Sequence, residues 1–230
     1  YELLVAQPSV AMSLGLTLYY AVVATFLALV MGFLLAMALL RVGRHHQWLH
    51  YVYKFPLMVP YLVGIALVIV LFGQGGLMAR LSYALGWIDR PDDFAALLYS
   101  HYGWGIILVY LWKQVPFMAL SIYVVLLGIP EQTQDAARLL GASRWQRWRY
   151  VVVPQVMPGI LSAVLICFAF NVGAFEAPFI LGGGFPDTLP VLAWRLFTDP
   201  DYGQRLSGMA VLVTMGAMLL VTVWVASLLS

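Results

Sequence analysis

Residues 135–154 read DAARLLGASRWQRWRYVVVP, a polar, basic and patterned stretch held between two long apolar runs. Its local chemistry predicts a helix, a turn and a second helix. Pro130 suits a first helical turn, where its missing N–H has no intrahelical partner to lose, and Glu131 adds negative charge at the positive end of the helix dipole. Gly141 follows Leu139 and Leu140 as the residue just past a helix end, because glycine enters the left-handed region without a Cβ clash. Ser143 and Gln146 have the spacing of a capping box that opens the next helix. Between these signals, Ala136 and Ala137 leave room for another backbone to come close at little side-chain entropy cost. A docking knob is one reading of the segment. The plainer one is an amphipathic surface helix whose Arg138, Arg144, Arg147 and Arg149 meet lipid phosphates.

Working outward, the chain is 63% hydrophobic and 10% charged, whereas a soluble domain carries about 25% charged residues. It is therefore expected to be an all-α, polytopic membrane helix bundle. Five apolar runs have membrane length: 12–40, 55–72, 104–127, 151–172 and 206–229. One set of loops holds Arg41, Arg44, Lys54, Arg138, Arg144, Arg147 and Arg149, and the opposite set holds Arg80, Arg90, Arg195 and Arg205. The positive-inside rule makes the first set cytoplasmic, so this piece is expected to run N-terminus out and C-terminus in. The loop at 130–152 then faces the cytosol. Tyr1 is not an initiator methionine and no signal peptide precedes the first run, so an upstream segment is expected. Cys167 lies in an apolar run and reads as a small buried filler.

The remaining motifs lie on or beside the apolar runs. His45, His46 and His50 sit in a short basic loop without a neighbouring acid or cysteine, which fits a solvated loop better than a metal site. Pro56, Pro60 and Gly64 predict a kinked helix facing a cavity, because backbone groups freed in a membrane need protein or water as partners. Residues 73–102 form an external segment with the acids Asp89, Asp92 and Asp93, either a face for a soluble partner or a solvated cap. Lys113 lies near the centre of its run. A buried ammonium normally faces a partner or a wet path, and the alternative is a lysine that snorkels to one surface. The fourth run ends in Asn171, Gly173, Phe175, Glu176 and Pro178, and irregular backbone there should line a passage. Glu176 beside an aromatic would suit an ammonium group, or it pairs with Arg195 or Lys113 and never meets cargo. Gly208, Ala210, Gly216 and Ala217 read as a close helix–helix seam.

The 135–154 stretch resembles the cytoplasmic loop signature of type I ABC importer permeases: Glu-Ala-Ala, three residues, Gly, nine residues, then Ile-x-Leu-Pro. Asp135, Ala136, Ala137, Gly141, Val151, Val153 and Pro154 fall on its positions, with Asp for Glu and Val for Ile and Leu. The stretch 112–117, WKQVPF, is similar to an element of many such permeases with different cargo, which implies a frame role for Lys113. Phe175, Glu176, Pro178 and the glycines at 182–184 resemble, more loosely, the spermidine/putrescine-type branch. The resemblance implies one transmembrane domain over 1–230, with the usual first helix expected upstream. It implies contact with an ATPase subunit through Asp135, Ala136, Ala137, Arg138, Leu140, Gly141, Ala142 and Ser143. A translocation path would pass Lys113, Asn171, Phe175 and Glu176.

The same resemblance implies a second permease half, identical, related or fused, and an external solute-binding protein, in a bacterial inner membrane. ATP and Mg would be held by the ATPase partner, since this chain has no phosphate-binding glycine loop, nucleophile–base set or metal-ligand spacing. No enzyme activity, no cofactor and no nucleic acid are expected of the chain itself. A polyamine or similar small cation is the expected cargo, with ferric ion, thiamine, sulfate-like anions and sugars open. Two readings from other classes are an ion-coupled secondary transporter using Lys113 and Glu176, and a lipid-binding scaffold.

Overall fold

The computed structural model describes residues 8–42, 47–100, 102–184 and 186–229. His45 and His46 lie outside the described residues, so the histidine loop is not placed. The helices are α1 Pro8–Val42, α2 Gln47–Val52, α3 Phe55–Met58, α4 Tyr61–Phe72, α5 Leu77–Ala84 and α6 Trp104–Leu127. They continue with α7 Glu131–Leu139, α8 Arg144–Arg147, a π turn Trp148–Val152, α9 Val153–Gly173, α10 Glu176–Leu181, α11 Leu189–Thr198 and α12 Tyr202–Leu229. No strand occurs among the described residues. Five segments are long and apolar enough to span a bilayer: Ser9–Arg41, Tyr61–Ala84, Trp104–Leu127, Arg144–Gly173 and Tyr202–Trp224. They correspond to the five apolar runs of the sequence.

Helix α1 packs most extensively on α6, and α9 packs against both. Close approach is possible because a Cβ on Gly32 would lie 2.6 Å from Met118 Cβ, and one on Gly159 would lie 2.6 Å from Val125 Cγ2. In lipid, where the hydrophobic effect does not drive helices together, such small-residue contacts supply dispersion energy. Tyr20, Ala24, Ile65, Ile106 and Tyr110 form one core cluster; Ala36, Met118, Ile122, Ala163 and Cys167 form another. Cys167 is thus the buried filler expected of it. A polar tie sits among these helices: Gln114 Nε2 donates to Asn171 Oδ1, while Asn171 Nδ2 donates to Thr25 Oγ1 at 3.1 Å and to Gln114 Oε1 at 3.2 Å.

The kink expected in the second run is a full break. Pro60 pushes Val59 into extended backbone (ψ 131°), so α3 stops and α4 starts in a new direction. The fourth run is entered by the helix that the Ser143–Gln146 box predicts: it begins at Arg144, seven residues before the apolar run, and continues through the π turn into α9. Pro154 has no N–H to offer the Tyr150 carbonyl, and the wider turn, in which Val153 N–H bonds Trp148 O, sits at that missing bond. The expected seam on α12 is half filled. A Cβ on Gly208 would lie 2.8 Å from the Phe197 nitrogen on α11, but Gly216 faces open space and Ala217 is exposed.

By this alternation of helices, Lys54, Arg138, Arg144, Arg147 and Arg149 gather with α7 and α8 at one end of the bundle. Arg80, Arg90, Arg195 and Arg205 gather with α5, α10 and α11 at the other.

Candidate functional site

At the loop end, α7 begins at Glu131, with Pro130 as its extended N-cap (ψ 133°) rather than its first helical residue. The helix ends as the sequence predicts. Gly141 takes φ +81°, and its N–H bonds the Arg138 carbonyl while Ala142 N–H bonds Ala137 O. Ser143 then closes the capping box: Gln146 N–H donates to Ser143 Oγ at 3.2 Å and Ser143 N–H donates to Gln146 Oε1 at 2.8 Å.

The outward face of this module is nearly bare. Asp135, Ala136, Arg138, Gly141 and Ser143 are exposed, Ala137 and Ala142 half-buried, and Leu139 and Leu140 are 89% and 88% exposed. Asp135 and Arg138 approach to 3.5 Å across one turn, an exposed pair of little energetic weight. Leu139 joins Leu140 on this bare face, and its signal in the sequence is two apolar residues immediately before a helix-ending glycine. A shallow groove of about 360 Å³ lies behind them, lined by Leu140, Gly141, Ala142, Gln146, Arg147, Tyr150 and Val151. The module is joined to the bundle by Trp148, whose ring meets Phe33 edge-on at 6.3 Å and packs on the cluster of Ile129, Val152 and Val156.

Inside the bundle, an open cleft of about 420 Å³ is lined by Leu57, Tyr61, Lys113, Gln114, Phe117, Ile166, Cys167, Phe170 and Glu176. It brings together two of the residues singled out from sequence, Lys113 and Glu176. The lysine is already occupied: its ammonium donates to the Leu57 carbonyl at 3.3 Å and to the Val59 carbonyl. Glu176, exposed, opens the first turn of α10 beyond the break at Gly173–Phe175. Arg195 does not reach it, being bonded to Asp187 at 2.9 Å. Burial pushes the Asp187 carboxyl above its ordinary pKa, and Arg195 offsets part of that rise.

Asn171 and Phe175 do not line this cleft. Asn171 is 2% exposed, and its amide is turned to Gln114 and Thr25. Phe175 stacks on Phe179 at 4.9 Å and meets Trp194 edge-on at 5.8 Å. Leu57, Tyr61, Ile166 and Phe170 line it without having been singled out, because apolar residues of a membrane helix carry no mark of which face they present. Among the described residues there is no group of acids, histidines and cysteines that could hold a metal.

This geometry, an exposed structured loop at one end and a cleft beside broken helices, agrees with known proteins. Residues 28–230 match the family described as the binding-protein-dependent transport system inner membrane component. The chain belongs to that family. It is a permease subunit of an ABC importer, an integral inner-membrane protein and not itself an enzyme.

Among other relatives, this permease is 28% identical over 186 residues to the molybdenum transport system permease protein ModB of Azotobacter vinelandii, covering 80% of this chain and 78% of ModB. It is 29% identical over 202 residues to the sulfate transport system permease protein CysW of Escherichia coli K12, covering 86% of this chain and 65% of CysW. A solved bacterial ABC transporter for the acidic polysaccharide alginate shares the fold, with a TM-score of 0.78, 17% identity and coverage of 98% of this chain and 80% of that one. These names are for molybdenum, sulfate and alginate, so the spermidine/putrescine branch expected from 175–184 gains no specific support.

Proposed function

We propose that this permease forms half of an ATP-driven import path for a small solute and that the loop 130–152 receives the ATPase subunit in the cytosol. The carrying observation is the bare face of α7 and its turn: Ala136, Leu139, Leu140 and Gly141 are exposed, yet a left-handed glycine and a complete capping box fix their shape. A rigid apolar knob in water is costly unless a partner covers it. The concentration of Lys and Arg at that end supports a cytosolic position, hence an N-terminus out and a C-terminus in. ATP and Mg would act in the partner, whose closure on ATP would move the loop and open the cleft alternately to each side. A second permease half would complete the path, and an external binding protein would deliver cargo.

For the cargo, a small oxyanion is favoured by the names of ModB and CysW and by the ammonium of Lys113 in the cleft wall. A polyamine is the second reading, favoured by Glu176 in the same wall beside Tyr61 and Phe170. An ion-coupled carrier has less support, because Lys113 is committed to backbone carbonyls and not to Glu176. The test is co-purification with the cognate ATPase, comparing the native loop with Gly141→Val plus Asp135→Lys, followed by uptake into vesicles. ATPase retained natively and lost in the variant, with ATP-dependent uptake of molybdate or sulfate, is the expected result. Uptake of putrescine alone would reverse the cargo reading, and no ATPase on the native chain would sink the proposal.

A further inference from the structure

The break between α3 and α4 leaves acceptors that a continuous helix would have satisfied. In such a helix, the carbonyls of Leu57 and Val59 would receive the amide protons of Tyr61 and Val63; the extended backbone at Val59 turns those donors away. A carbonyl shielded from water and left without a donor is strongly unfavourable. Both acceptors are instead reached by one side chain from another helix, the ammonium of Lys113 on α6. Lysine has three donors, so two carbonyls leave one N–H unassigned on a side chain that lines the cleft together with Leu57 and Tyr61.

We propose that Lys113 is a positioning residue: its ammonium stands in for the missing helical donors, fixes the α3–α4 break against α6 and so sets the shape of the cleft wall. The bonds tie two separate elements, whereas a snorkelling lysine would bond water or lipid at a surface. Because the tie is made by a flexible side chain and not by the backbone, it can release and re-form as the wall moves. This role does not depend on which cargo passes or on the ATPase reading.

The proposal has a specific genetic signature. Pro60 creates the break, so Pro60→Ala returns an N–H to the chain, frees Val59 to become helical and makes the ammonium dispensable. The test uses the full chain in lipid nanodiscs with Cys167→Ala and spin labels at Met58→Cys on α3 and Leu127→Cys on α6, both exposed positions. The expected result is one narrow distance population with Lys113, a second, displaced population in Lys113→Met, and a return to one population in Pro60→Ala plus Lys113→Met. If Lys113→Met cannot be purified folded, recovery of folding by adding Pro60→Ala carries the same meaning. An unchanged distance distribution in Lys113→Met, or no rescue by Pro60→Ala, overturns the proposal. Since the distance is read without ATPase or cargo, failure here and failure of the import reading are told apart.

Discussion

Asn171 sits among α1, α6 and α9, which otherwise meet largely through apolar side chains. Its amide gives Nδ2 to Thr25 and exchanges hydrogen bonds with Gln114, so a buried polar cluster is satisfied from within the bundle. Such groups set register more than they add energy, because side chains in a membrane find other partners when the helices separate. Replacing Asn171 by Leu leaves Gln114 without its partner and should lower stability by about 0.6 to 2 kcal/mol, in the range of interhelical hydrogen bonds in membranes. Replacing both Asn171 and Gln114 by Leu should cost less than that single change, since the Gln114 amide is then no longer left unpaired and only Thr25 loses its Asn171 partner. Thermal unfolding of the three proteins in detergent decides it: a double variant weaker than Asn171→Leu would show that the pair matters for shape and not for satisfaction. Nothing in the sequence distinguished this asparagine from one lining a passage. A polar residue in an apolar run predicts a partner, but which partner depends on how neighbouring helices rotate.

Helix α1 keeps its glycines for different reasons. Gly32 lies where Met118 and the backbone of Ala119 leave no room, a Cβ there falling 2.6 Å from Met118 Cβ and 3.1 Å from Ala119 N. Gly15 has open space around it. Gly32→Val should therefore push α1 off α6 and cost about 1–3 kcal/mol, as overpacking does. Gly15→Ala should be neutral or stabilise by about 0.5–1 kcal/mol through helix propensity. Melting temperatures moving in those opposite directions would confirm the close approach; equal effects would refute it. The two glycines were alike in the sequence, and only the position of the second helix separates them.

Elements whose causes are local were legible. Gly141 ending α7, the Ser143–Gln146 box and the break at Pro60 each follow from a backbone rule acting within a few residues. The π turn and the lining of the cleft were not. The π turn arises from a missing donor at Pro154 that several geometries can accommodate. The lining depends on packing between distant segments.

Across the whole molecule, the exposed loop joins the bundle at two places, through Ile129 and Pro130 to α6 and through the π turn to α9. Helix α8 enters the bundle through the π turn, and Trp148 is the large side chain at that joint, set against Phe33 on α1 and against Ile129, Val152 and Val156. A force applied at Leu139 and Leu140 reaches α9 through this contact or through the backbone of the π turn, where the ladder steps from i→i+4 to i→i+5 bonds. Trp148→Ala should thus leave the docking face intact while weakening what stands behind it. The ATPase should still co-purify at native levels. Transport per ATP hydrolysed should fall roughly two- to thirtyfold, the effect of losing about 0.5–2 kcal/mol of coupling between sites. Reconstituted complexes, with hydrolysis and uptake measured in the same vesicles, give that ratio directly. A fall in both activities together would mean that Trp148 holds the fold and not the link. An unchanged ratio would assign transmission to the backbone, through the π turn into α9 or through Ile129 and Pro130 into α6, both of which line the cleft without needing Trp148.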